Sequence, residues 1–179
     1  MSWQDFLYLL INNHSMKSPS IWAHIRDILI LPGIVCILVP YLLHTLLSGW
    51  IPHTAIFEAL GGFIFGIGLV LWAVPVYLFY KMAMGTLAPW APTQRLVITG
   101  PYRYVRNPMI TGVVFILLGE ALYVGSGAML LWSIWFFCMN TAYFIFAEEP
   151  SMTKRFGEDY LRYKANVPRW LPRLTPYEG

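Results

Sequence analysis

Two clusters of residues in this chain have the types and spacing for chemistry. Residues 100 to 112, Gly-Pro-Tyr-Arg-Tyr-Val-Arg-Asn-Pro-Met-Ile-Thr-Gly, set two arginines, two tyrosines and two prolines at the approach to an apolar stretch, and the next apolar stretch ends in Glu148-Glu149. Adjacent carboxylates repel, and at a helix C-terminus they also face partial negative charge, each effect costing about 0.3 to 1 kcal/mol. Such a pair asks for compensating cations. Arg103, Arg106 or a cationic ligand would supply them; water with nearby Lys154 and Arg155 is the plainer alternative. Asn140, Thr141, Phe144 and Glu148 fall on one helical face by i, i+4, i+8 spacing, which suggests a polar pocket below the acid. Asn140 alone is equally suited to bonding a neighbouring helix.

The elements that must position these residues are set by composition. With 179 residues, 58% hydrophobic and only 12% charged, the chain is an integral membrane protein rather than a soluble domain. A helix spanning about 30 Å of hydrocarbon needs roughly 20 mostly apolar residues. Four stretches approach that: Ile28 to Leu47, Ala59 to Tyr80, Met109 to Val124 and Ala128 to Ala147. The predicted fold is all-α, a single membrane-embedded bundle over 1–179 with about four transmembrane helices, or five with the N-terminal segment, in which the short stretch Phe6 to Ile11 itself reads as interfacial. Residues 1–80 hold the N-terminal helices, and 81–173 the loop, a helical hairpin turned at Gly125-Ser126-Gly127, and a tail.

Orientation follows from the basic residues, because cytoplasmic loops retain Lys and Arg. Lys17 and Arg26 precede the first span, Lys81, Arg95, Arg103 and Arg106 lie between the second and third, and six from Lys154 to Arg173 follow the fourth. Neither opposite-side loop has any. Both termini and the long loop are therefore expected on the cytoplasmic side. The net charge of +3 is explained by this topology and by attraction to anionic membrane lipids, so no nucleic-acid partner is expected. Cys36 and Cys138 sit inside spans and the four histidines are scattered, so neither a disulfide nor a metal site is expected. No cleavable signal peptide is apparent, and Asn13-His14-Ser15 matches a glycosylation pattern but falls on the wrong side.

The stretch Lys81 to Pro108 carries four prolines, yet Trp90, Leu96, Val97, Ile98, Tyr102 and Tyr104 make it too apolar for a free linker. It is expected to fold against the cytoplasmic end of the bundle. In the tail, Met152, Phe156 and Tyr160 recur at i, i+4 and i+8, which reads as an amphipathic helix with Pro150 in its first turn and Gly157 as a place for a break. Gly62-x-x-x-Gly66, with Gly61 and Gly68 beside it, permits close helix packing within the chain or between chains. Glu120 is expected to reach the outer interface.

Several blocks in order carry a resemblance: Thr86-Leu-Ala-Pro-Trp-Ala-Pro, the Gly-Pro-Tyr-Arg-Tyr-Val-Arg-Asn-Pro run, Glu148-Glu149, Phe156-Gly157-Glu158-Asp159-Tyr160 and Val167-Pro168. Together they resemble the isoprenylcysteine carboxyl methyltransferase and phospholipid methyltransferase family of membrane proteins over about residues 85 to 173. The resemblance implies methyl transfer from S-adenosyl-L-methionine to a lipophilic or lipid acceptor. It also implies that Gln94, Arg95, Leu96, Val97, Tyr102, Asn107, Pro108, Met109, Ile110 and Glu148 contact that cofactor, with Glu149 completing the paired acid and Arg106 acting with Glu148 at the reacting centre. The prenylcysteine branch usually has Arg-His-Pro-x-Tyr where this chain has Arg106-Asn107-Pro108-Met109-Ile110, and a substrate-binding arginine where this chain has Phe144. A neutral or amine-bearing acceptor, placed near Phe144 and Asn140, is therefore favoured over a carboxylate. A non-enzymatic membrane scaffold and a nicotinamide-dependent membrane reductase are the other classes, the latter weakened by the lack of a glycine-rich dinucleotide fingerprint.

Overall fold

The computed structural model describes residues 32–47, 52, 54–82 and 96–178, and among these there are helices and no strands. Four helices are apolar: α1 (Ile34–Leu46), α2 (Ala55–Met82), α3 (Pro108–Val124) and α4 (Gly127–Tyr143). A fifth, α5 (Glu149–Asn166), is polar. The architecture is the expected all-α membrane bundle. By length and composition two helices can cross a membrane, α2 and the one that starts at Gly127, while α1 and α3 are shorter. The expected start of the first span, Ile28 to Leu31, lies outside the described residues.

Helix α3 opens on Pro108, whose missing N–H would be unsatisfied at that position anyway, and closes on Gly125 in the left-handed conformation. Ser126 then caps α4 by accepting from the Met129 amide at 3.4 Å. This is the tight hairpin read from Gly125-Ser126-Gly127.

The main packing in the bundle is antiparallel α2 on α3, and glycines set its distance. A Cβ on Gly61 would fall 2.5 Å from the Tyr123 amide nitrogen, and one on Gly119 2.5 Å from that of Phe65; seven residues along, Gly68 meets Ile116 at 2.6 Å and Gly112 meets Trp72 at 2.5 Å. Two glycine pairs, Gly61 with Gly119 and Gly68 with Gly112, thus let the backbones touch. The contact is within one chain, and it uses the neighbours of the Gly62-x-x-x-Gly66 motif rather than the motif itself. Gly66 has nothing within 4 Å. Gly112→Ala is expected to cost about 2 kcal/mol by overpacking, read as a lower melting temperature in detergent, whereas Gly66→Ala should leave it unchanged. Glu120 is half-buried in α3, and its Oε2 has no partner among the described residues.

Helix α4 does not end at Ala147. It passes through a π-helical turn, Phe144–Glu148, directly into α5. Pro150 explains the extra residue in the turn: it has no N–H to give to Phe146, and the chain instead closes the wider bond from the Glu149 amide to the Phe144 carbonyl. The expected helix C-terminus at Glu148-Glu149 is therefore absent, and with it the macrodipole penalty. Helix α5 does break at Gly157, where φ 55 and ψ −131 form a backbone conformation that essentially only glycine adopts. Beyond the break, Tyr160, Tyr163 and Val167 are buried with Met152, Phe156, Leu96, Ile98 and Tyr177 around them. The described end of the loop, through Leu96 and Ile98, thus packs on the tail, where packing against the end of the bundle was expected; residues 83–95 lie outside the described residues.

Candidate active site

Ahead of α3 the loop forms a single 3-10 turn, Gly100–Arg103, in which Tyr102 is buried, and Val105 just after it is buried too. The tail crosses this loop as a strap. The Arg106 amide donates to the Pro168 carbonyl at 2.9 Å, Arg173 to Tyr104 at 3.0 Å and Tyr177 to Arg103 at 2.9 Å. Arg103 Nε in turn donates to the Tyr177 carbonyl at 2.7 Å. These bonds fix Arg106 between the end of α4 and the strap, with a side chain only 10% exposed.

Arg106 Nη1 meets Glu149 Oε1 at 2.9 Å, and at the limit of hydrogen bonding it reaches the Tyr160 hydroxyl at 3.5 Å. The same Glu149 oxygen accepts from Arg169 Nε at 2.7 Å, and Oε2 pairs with Lys164 Nζ at 2.8 Å. Three cations therefore surround one buried carboxylate. Burial alone would raise its pKa, but Lys164, Arg169 and Arg106 outweigh that and hold it below the ordinary carboxylate value. The π turn accounts for the choice of acid. In a regular helix the residue above Phe144 is Glu148; in the wider turn it is Glu149, so Glu149 meets Arg169 of the strap while Phe144 meets Trp170.

Glu148 has no ion pair among the described residues. Burial, then the charge on Glu149, push its pKa up to about 7, with Arg155 opposing. Its charge also reaches Tyr102, whose hydroxyl is shifted well upward by burial first and by the Glu148 charge second. The two acids thus have opposite environments: one neutralised three times over, the other left for something else. Of the two arginines expected to compensate the acid pair, Arg106 does so, on Glu149, while Arg103 lies 3.6 Å from Glu178 instead.

The other residues singled out in the sequence distribute as follows. Pro108, Met109 and Ile110 form the first turn of α3 beside Arg106, with Pro108 fully buried. The Asn107 carbonyl accepts from both the amide and the hydroxyl of Thr111, leaving the Asn107 side chain out of the cap. Leu96 packs on the aromatic cluster of the tail and Val97 is half-buried. Gln94 and Arg95 lie outside the described residues. Phe144 is buried, its ring 5.6 Å from that of Trp170. The Asn140 amide turns back to the Phe136 carbonyl of its own helix at 2.9 Å rather than across to a neighbour.

Sequence reasoning gave no role to Lys164, Arg169 or Trp170, and took Tyr163 only as a flank of the tail's apolar stripe. Their only signal was position, flanking the Val167-Pro168 block. Tyr163 donates to the Tyr102 carbonyl at 2.7 Å in a buried setting, so Tyr163→Phe is expected to destabilise by about 1 to 2 kcal/mol through the orphaned carbonyl, measurable by thermal melting. Two buried donors have no partner among the described residues: Arg106 Nε and Trp170 Nε1. Buried donors are almost always paired, so these two are exceptions in this protein.

Comparison with known proteins agrees with this architecture. An uncharacterized protein of Haemophilus influenzae is 35% identical over 63 residues, which are 35% of this chain and the whole of that protein. No solved structure matches. Residues 54–159, more than half of the chain, match the phospholipid methyltransferase family; they run from the start of α2 into α5 and include Tyr102, Arg106, Glu148 and Glu149. This integral membrane protein belongs to the phospholipid methyltransferase family.

Proposed function

We propose that the chain transfers a methyl group from S-adenosyl-L-methionine to a lipophilic acceptor reached from the bilayer. The observation that carries this reading is the unequal treatment of the paired acids. Glu149 takes Arg106, Lys164 and Arg169, which leaves the Glu148 carboxylate with no ion pair among the described residues and only Arg155 acting on it through space. A carboxylate in want of an ion-pair partner, in a site whose Arg106 keeps an unpartnered Nε, fits a ligand bearing both an ammonium and a carboxylate.

When bound, the methyl donor supplies an electrophilic methyl on a positively charged sulfur. The protein's share is alignment and exclusion of water. Glu148 would hold the donor's positive group, Arg106 an oxygen, and Tyr102 with Asn107, Pro108, Met109 and Ile110 the remainder, together with Gln94, Arg95, Leu96 and Val97 of the loop. Arg106 also acts as an electrostatic clamp, and Glu149 positions it. The site would face the cytoplasm, as the distribution of Lys and Arg implies.

The acceptor is proposed to approach along the Asn140 and Phe144 side of α4. Phe144 is buried beneath Trp170, so no cation meets an acceptor carboxylate there. A neutral or amine-bearing acceptor follows, and methylation of a phospholipid amine is the second reading, favoured by the free Glu148. Incubating membranes that contain the protein with methyl-labelled donor should yield one labelled lipid-soluble product. Calorimetry of the purified protein in detergent should detect donor binding; no binding by folded protein would reject the proposal in favour of a scaffold.

A further inference from the structure

Past Val167 the chain leaves the helix and runs back towards α4. The Trp170 ring stands 4.9 Å from Phe137 and 5.6 Å from Phe144. Those two phenylalanines are seven residues apart on α4, about 10.5 Å of helical rise, so the indole lies midway between them. That puts it roughly 10 Å inside the apolar stretch that ends at Ala147, using the rise of 1.5 Å per residue. A tail that follows the last span and carries six of the chain's twelve basic residues has therefore returned to the depth of the acyl chains.

The residues next to Trp170 are apolar and uncovered. Leu171 is 80% exposed and Leu174 99% exposed, values unsuited to water at such a depth. Their backbone suits an apolar setting better than its irregular shape suggests. Pro168 and Pro172 have no N–H to satisfy, and the Pro168 carbonyl and Arg173 amide are bonded to the loop. The cations are held near the protein: Arg169, just before the segment, on Glu149, and Arg173, within it, with its guanidinium 6.0 Å from the Tyr177 ring centroid. Beyond them, Lys154, Arg155 and Arg162 on α5 are exposed, as a helix above anionic headgroups requires.

We infer that Trp170 to Leu174 is a re-entrant segment whose Leu171 and Leu174 side chains insert among the lipid acyl chains of the leaflet at the Glu148-Glu149 end of α4. The bilayer is the partner of this surface. The strap accordingly has two faces, one closing the site through Arg169 and one in contact with lipid.

The test is fluorescence quenching in the full-length protein, reconstituted in vesicles of neutral and anionic phospholipid. Cys36→Ala and Cys138→Ala give a cysteine-free parent, into which Leu171→Cys or Leu174→Cys is placed and labelled with a small environment-sensitive dye. Leu174 makes almost no contact with the protein, so its replacement leaves folding untouched. Phe146→Cys, at an 80% exposed position within the apolar stretch, is the lipid reference, and Asp159→Cys on α5 the aqueous one. Nitroxide lipids labelled just below the headgroup should quench positions 171 and 174 roughly twofold, as at Phe146, with iodide ineffective. Quenching of both by iodide and not by nitroxide lipid, as at Asp159, overturns the inference.

Discussion

Glu149→Gln is expected to be among the most destabilising single substitutions in the chain. The change keeps the shape and removes one charge, leaving Arg106 and Arg169, and with them Lys164, around a neutral amide. Breaking a buried pair from one side typically costs 3 to 5 kcal/mol because the remaining charge stays desolvated. Lys164 is 40% exposed and will find water, so a loss of about 3 kcal/mol is the expectation, read as a lower melting temperature in detergent. The pH dependence has a definite sign. The folded carboxyl titrates below its ordinary value of 4.5, so its stabilisation is fully present above that value and is lost as pH falls through the depressed folded pKa. The Gln variant should lose that acid-side dependence. A variant as stable as the parent would show that the cage holds nothing together.

Glu148→Gln is expected to act in the opposite sense on stability and to abolish what the site is for. With the folded pKa raised from 4.5 to about 7, the unfolded chain sheds this proton first, so folding is progressively penalised as pH rises through that interval. Removing the titration should therefore raise the melting temperature above pH of about 7. The same change should weaken methyl-donor binding at least tenfold, about 1.4 kcal/mol. For the parent, affinity should increase as pH rises through about 7, where the carboxylate becomes charged, and for the variant it should be flat. Gain of stability with loss of affinity is the signature of a residue kept for function. Unchanged affinity in the folded variant would remove Glu148 from its proposed role.

The bundle was legible because apolar length is a one-dimensional property. The α3–α4 hairpin, the proline that opens α3 and the break at Gly157 were all written locally, each by a residue with a single conformational meaning. The cage was not. Its members come from residues 106, 149, 164 and 169, and only the return of the tail across the loop brings them together. The i, i+4 rule also failed at the decisive place. Pro150 converts the turn before it into a π turn, so the acid that faces the strap is the second of the pair and not the first. The glycine contact went astray for a simpler reason. Spacing of four drew the eye to Gly62 and Gly66, while the antiparallel partner has its own glycines seven apart, and only Gly61 and Gly68 match that interval.

The strap also imposes an order of assembly. Helices α2 and α3 meet through glycines that need nothing from the tail, so that pair can form as soon as both segments are in the bilayer. Arg169, by contrast, follows every apolar helix, and Glu149 stays incompletely neutralised until it arrives. The α2–α3 frame can therefore form before the cluster around Glu149 is complete, and joining the strap to it is a separate step that Arg169 makes.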